Sequence, residues 1–197
     1  MPEIMLDALE ACQKKSITVS CDLNYRSKLW TREKANETMS RLVPYVDVLI
    51  ANEEDAKDVF GIEAKDTNIM DGKLNYAGYI DVAQQLAERF QCRAVAITLR
   101  GSISASENNW SGLLYENSKA YLSKDYLIKI VDRVGGGDSF AGGLIYALRQ
   151  GYVPEEAIEF AVAASCLKQT IEHDFNHVSA EEVHALVRGN SSGRVQR

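Results

Sequence analysis

Apolar residues Ile4, Met5, Ala8, Leu9 and Cys12 recur at helical spacing, behind Pro2 and ahead of Lys14 and Lys15, where the helix dipole favours cations. Ile17, Val19, Cys21 and Leu23 then alternate as a strand. Thr31 to Val43 reads as a helix capped by Thr31 and stopped near Pro44, and Val46 to Ile50 as a short apolar strand. Asn52 caps a further helix ending at Gly61. Tyr79, Val82, Ala83, Leu86 and Phe90 share one face of a helix from Tyr76 to Phe90, and Ala94 to Leu99 is a continuous apolar strand of the buried parallel kind.

From Ser102 to Ile130 the pattern changes to short strands, Leu113 to Tyr115, Lys119 to Leu122 and Tyr126 to Val131, separated by polar turns in an antiparallel manner. Three helices follow: Asp138 to Gln150 closed by Gly151, Pro154 to Gln169, and Ser179 to Arg188, which opens with the capping box Ser179-x-x-Glu182. Strands alternating with helices predict right-handed crossovers and a parallel sheet covered on both faces. The chain begins with a helix feeding a strand, so the strand that such a crossover starts from is missing, unless the first helix simply packs on the sheet. The last residues, 189–197, read as a flexible tail.

With 197 residues, 46% hydrophobic and 25% charged, the chain fits one large domain, 1–197. No apolar run approaches the roughly 18 residues of a membrane span. The formal charge of −6, with dispersed basic residues, argues against a nucleic-acid partner. Cys12, Cys21, Cys92 and Cys166 are far apart and form no C-x-x-C pair, which predicts free thiols in a reducing cytoplasm. The N-terminus lacks a basic region before an apolar one, so no secretory signal is read there.

Three segments carry candidate chemistry. Val131-Asp132-Arg133-Val134-Gly135-Gly136-Gly137-Asp138 is a glycine loop between strand and helix; bare glycines let N–H groups converge on an anion at the helix N-terminus. Asp138, in the first turn, could take a proton from a hydroxyl attacking a phosphoryl group. A flexible connector with a dipole-favoured Asp138 fits the same residues equally well. The loop matches neither G-x-x-x-x-G-K-[ST] nor G-x-G-x-x-G.

Asp22-Leu23-Asn24-Tyr25-Arg26 follows a strand, at the edge where open α/β sheets bind ligands, and a guanidinium at Arg26 suits carboxylate or phosphate; a solvated turn is the plainer alternative. Asn52-Glu53-Glu54-Asp55 also follows a strand. There Asn52 is a natural N-cap, or Asn52 and Asp55 lie near hydrated magnesium. That all three groups fall at strand ends of one sheet favours a shared site. His173 and His177 lack further ligands for zinc, no G-x-S-x-G elbow exists, and Met5, Met39, Met70, Trp30 and Trp110 fit packing.

The glycine loop, with Asp132 ahead and Phe140 to Ile145 behind, resembles the second signature of the ribokinase-like (PfkB) carbohydrate kinases. Asp22 to Trp30, Asn52 to Asp55 and Asp174 to Ser179 further resemble their 2-keto-3-deoxygluconate kinase branch. The likeness runs from Met1 to Arg197 but covers what looks like the C-terminal portion of such a kinase, without the first sheet strands and the β lid over the sugar. Arg133 stands where the signature usually has a small residue or proline, and Asp55 replaces the usual Glu of N-x-x-E.

The resemblance implies a ribokinase-like α/β fold, a mostly parallel central sheet with helices on both faces, and ATP-dependent phosphorylation of 2-keto-3-deoxygluconate at the 6-hydroxyl. It implies Asp138 as base and the N–H groups of Gly135, Gly136 and Gly137 as anion hole. Arg26, supported by Asn24, would bridge the sugar acid and the phosphate, and Asp174 would contact the sugar. Thr98, Arg100, Gly101 and Ser102, with the Ala161 to Cys166 helix, would flank the nucleotide. Asn52 and Asp55 would hold Mg2+ through water, and Asp132 a monovalent cation such as K+. Other sugar kinases, fructokinase among them, and a non-catalytic nucleotide-binding half-domain are the competing readings, and a homo-oligomer is compatible with each.

Overall fold

A computed structural model describes residues 2–63, 76–104 and 106–189. Met70 and the tail beyond Gly189 lie outside the described residues. The chain divides into two compact units, Met1–Leu99 with Leu113–Tyr121, and Arg100–Gly112 with Leu122–Arg197.

The first unit contains helix α1 (Pro2–Lys14), strand β1 (Ser20–Asp22), α2 (Arg32–Leu42), β2 (Val48–Asn52), α3 (Glu53–Phe60) and α4 (Tyr76–Phe90). It also holds most of β3 (Ala94–Ser102), the end of β4 (Glu107–Glu116), and β5 (Lys119–Leu122). The strand order is β1-β2-β3-β4-β5. β1 pairs with β2 and β2 with β3 in parallel, with Asp22 opposite Ile50 and Asn52 opposite Thr98. Val48 to Ala51 are all buried, as strands covered on both faces require. Leu49, Ala51, Val95, Ile97 and Leu99 face a cluster with Ala35 and Met39 of α2, Ala56 and Val59 of α3, and Val82, Leu86 and Phe90 of α4.

Local signals behave as their chemistry dictates. The Thr31 hydroxyl caps α2 by accepting from Lys34 N–H, and Pro44 turns the chain through a 3-10 segment, Val43–Tyr45. Gly61, at φ 67°, ends α3 in the left-handed conformation. Asn117 and Ser118, at φ 53° and 59°, are both left-handed, as a two-residue hairpin between β4 and β5 demands.

The second unit contains the end of β3, the start of β4, β6 (Tyr126–Lys129), α5 (Gly136–Arg149), α6 (Pro154–Lys168) and α7 (Ala180–Val187). β6 runs antiparallel to β4, pairing Trp110 with Tyr126. The sheet is therefore mixed, with its parallel part in β1, β2 and β3.

Helices α5 and α6 pack closely, because a Cβ on Gly143 would meet Ala161 Cα at 3.1 Å. Gly112 of β4 lies under Val162, Ile158 and Phe140, with no room for a methyl group. Residues Ala157 to Cys166 of α6 are buried with the exception of Glu159, so this helix is central rather than amphipathic.

Candidate active site

In the second unit the glycine loop turns sharply into α5. Gly135 is the N-cap at φ 80°, left-handed, and its carbonyl accepts Ser139 N–H at 2.9 Å. A helix leaves its first N–H groups without intrahelical partners. Gly136 N–H is used at once by Arg133 O, at 3.2 Å. Gly137 and Asp138 N–H donate no hydrogen bond among the described residues. Of the three glycine amides expected to face an anion, that of Gly136 is turned inward, whereas those of Gly135 and Gly137, with that of Asp138, donate to no described residue.

Buried partners on α6 hold this loop. Ser165 Oγ donates to Gly136 O at 2.8 Å, and a Cβ on Gly136 would lie 3.2 Å from Gln169 Cγ. Val131 N–H donates to Gln169 O at 2.8 Å. Asp132 Oδ1 accepts Val134 N–H at 2.9 Å and Oδ2 accepts His173 N–H at 3.1 Å. These bonds, the first above all, hold the Asp132 carboxyl below its usual range, with the Lys168 charge assisting. Sequence reasoning missed Ser165, Lys168 and Gln169. Their signal was spacing: three polar residues at i, i+3 and i+4 closing an otherwise apolar helix.

Asp138 is exposed and borders a cavity of about 440 Å³ together with Asp174, Gly142, Tyr146, Phe160 and Phe175. Asp138 and Asp174, both named from sequence, therefore share one concavity with apolar walls. Such a cavity suits a ring of sugar or base size with polar groups at its mouth.

In the first unit the C-terminal strand ends align. Asp22 closes β1, and Asn52 of β2 stands opposite Thr98 of β3. Asn24, at φ 40°, donates its N–H to Asp22 Oδ1 at 3.1 Å. That turn leaves the Arg26 side chain exposed, with Nη1 donating to Tyr25 O at 2.8 Å.

Asn52 and Asp55 form a reciprocal capping box: Asn52 Oδ1 accepts from Glu54 and Asp55 N–H at 2.8 Å each, and Asp55 Oδ2 from Asn52 N–H at 3.4 Å. Asp55 Oδ1 also accepts Tyr25 N–H at 3.1 Å, which ties the Arg26 turn to α3. Burial pushes the Asp55 carboxyl up, partly offset by these bonds and by the Arg26 charge. With Asp55 only 4% exposed and each oxygen engaged, the pair fits a structural bracket and not a resident Mg2+ site. Among the described residues no group of three or more His, Cys, Asp or Glu gathers as a metal site.

Each Asp132 oxygen accepts one N–H bond, and the Lys168 charge acts on the same carboxylate.

The segment expected to flank the nucleotide lies in β3, which runs three residues beyond the strand read from sequence. Thr98 to Ser102 is strand, the last half of β3, and the turn begins only at Ile103, whose N–H donates to Glu107 O at 3.1 Å. Thr98 is half-buried and Arg100 exposed; a Cβ on Gly101 would contact Asn109 Cβ at 3.3 Å. The four cysteines are free, and Trp110 is buried.

Comparison with known proteins supplies the family. The model of the pfkB family carbohydrate kinases matches residues 1–172, and the chain belongs to that family. It is 30% identical over 187 residues to a 2-dehydro-3-deoxygalactonokinase of Haloferax volcanii, covering 95% of this chain and 52% of that protein. An ATP-dependent 6-phosphofructokinase of Thermoanaerobacterium thermosaccharolyticum is 27% identical over 167 residues, covering 84% and 44%. The crystal structure of a 2-dehydro-3-deoxygluconokinase from Thermotoga maritima superposes with a TM-score of 0.88 at 48% identity, covering 95% of this chain and 55% of that one. The chain thus spans about half the length of the relatives it matches.

Proposed function

We propose that this chain carries the catalytic loop of an ATP-dependent sugar-acid kinase whose substrate is 2-keto-3-deoxygluconate, yielding the 6-phosphate and ADP. The observation that carries this reading is the start of α5, where the open amides of Gly137 and Asp138 adjoin the exposed Asp138 carboxylate at the cavity mouth. The likeness to a 2-dehydro-3-deoxygluconokinase at 48% identity supports the choice of acid.

The Asp138 carboxylate accepts the proton of the attacking hydroxyl as its oxygen bonds to the γ-phosphorus and the bond to the bridging oxygen of ADP breaks. The Gly137 and Asp138 amides stabilise charge on the transferring phosphoryl oxygens, aided by the α5 dipole. Asp174 bonds sugar hydroxyls within the same cavity. Arg26 offers a planar guanidinium to an anion. Mg2+ arrives with ATP as part of that substrate, and the reaction belongs in the cytoplasm.

The test is ADP release by the purified protein with Mg-ATP and a panel of 2-keto-3-deoxygluconate, 2-keto-3-deoxygalactonate, fructose and fructose 6-phosphate. Preference for the first supports the reading. Preference for a neutral sugar or a sugar phosphate reassigns the substrate, and Mg-ATP binding without turnover on any of them leaves a nucleotide-binding half-domain.

A further inference from the structure

One buried charge has no part in the reaction as written above. Lys168, in the last turn of α6, is 0% exposed, although lysine is almost never fully buried without a partner. Its ammonium carries three donors, yet among the described residues its only hydrogen bond goes to Ile171 O, at 3.5 Å. Among the described residues it belongs to none of the ion pairs within 4.0 Å. The Asp132 carboxylate nevertheless feels its charge.

Next to Lys168 in the chain, two stretches of backbone lock together. Gln169 O accepts the N–H groups of Val131 and Asp132, the latter at 3.3 Å, while Asp132 accepts those of Val134 and His173. Ile171 N–H returns to Lys168 O at 3.2 Å. His173 is held left-handed at φ 67°, which delivers Asp174 O against Gly135. A carbonyl oxygen at 3.5 Å, with a carboxylate that the charge reaches, offers a compact cation the kind of oxygen donors that also hold a monovalent ion.

We propose that Lys168 is a built-in monovalent cation, a positioning residue whose ammonium holds the Ile171–Asp174 turn and Asp132 against the glycine loop so that the Gly137 and Asp138 amides stay aimed at the anion. The inference rests on reading that loop as the phosphate site. On this proposal Asp132 needs no bound alkali ion.

Two variants test it. Lys168→Met removes the charge and keeps most of the stem, whereas Lys168→Ala opens space for an ion; Lys168→Arg serves as a charge-retaining folding control. Amide hydrogen exchange at Val134 and His173 reads the positioning, and calorimetric Mg-ATP affinity reads its consequence. Each is measured in tetramethylammonium chloride and in potassium or ammonium chloride at equal ionic strength.

The unsubstituted protein should differ less than about twofold between salts, and K168M should lose roughly tenfold in protection and affinity in every salt. K168A should lose as much in tetramethylammonium and recover most of it with K+ or NH4+. Unchanged protection in K168M, K168A that no small cation restores, or an unsubstituted protein that itself needs K+ would each overturn the proposal. If the unsubstituted protein binds no Mg-ATP, the kinase reading fails, while the exchange measurement still decides the role of Lys168.

Discussion

Gly135 lies so close to Asp174 that a Cβ on the glycine would stand 2.1 Å from the Asp174 carbonyl oxygen, with φ at 80°. Both the backbone conformation and the space exclude a side chain. Gly135→Ala should therefore lower stability by about 2–4 kcal/mol, read from denaturant midpoints. Gly137 has nothing within 4 Å of a built Cβ, so Gly137→Ala should leave stability unchanged or raise it by up to about 1 kcal/mol. If Gly137 offers its amide to a phosphate, that same variant should still weaken Mg-ATP binding. Adjacent glycines would then separate folding from binding.

Asp138 is the base in the proposed reaction, and its exposed position in the first turn of α5 makes it dispensable for folding. Asp138→Asn should reduce kcat by about 10²–10⁴-fold and change Mg-ATP affinity by less than about threefold. Stopped-flow nucleotide binding alongside steady-state turnover distinguishes this from a general loss of the site. Retained turnover would move the base elsewhere, with Asp174 the next carboxylate in the cavity.

The Asn52–Asp55 bracket should behave as a cap and not as a metal site. Asn52→Ala removes the acceptor of two N–H bonds and should cost about 1–2 kcal/mol with or without Mg2+. A stability loss present only when Mg2+ is supplied would restore the metal assignment.

Much of this was legible in sequence because the signals are local. Thr31, Asn52, Gly61 and Ser179 act where their side chains or left-handed φ dictate, and Tyr76 to Phe90 is helical over the predicted residues. What was not legible is tertiary. Nothing in Gly135-Gly136-Gly137 says that the middle amide turns to Arg133 O, because that depends on Ser165 and Gln169 arriving from α6. The strand read from Ala94 stops at Leu99 because Arg100 and Gly101 interrupt the apolar run, yet β3 continues to Ser102, held by its partner strand rather than by burial. The capping box was visible at Asn52, but its second carboxylate contact, to Tyr25 N–H 30 positions away, was not.

The two buttressing carboxylates should respond to pH in opposite directions. Burial raises the Asp55 carboxyl above 3.8 in the folded chain, so its contribution is fully present below 3.8 and is lost as pH rises through the raised value. Asp132 is lowered, chiefly by the Val134 N–H, so its contribution is present above 3.8 and is lost as pH falls through the lowered value. Urea midpoints from about pH 3 to about pH 7 compare each Asn variant with the unsubstituted protein. The penalty of Asp55→Asn should be greatest in acid and shrink toward neutrality, whereas that of Asp132→Asn should be absent in acid and appear as pH rises. Parallel pH profiles would mean that one of the two carboxylates sits in surroundings other than those described: Asp55 open to water, or Asp132 without its two N–H donors.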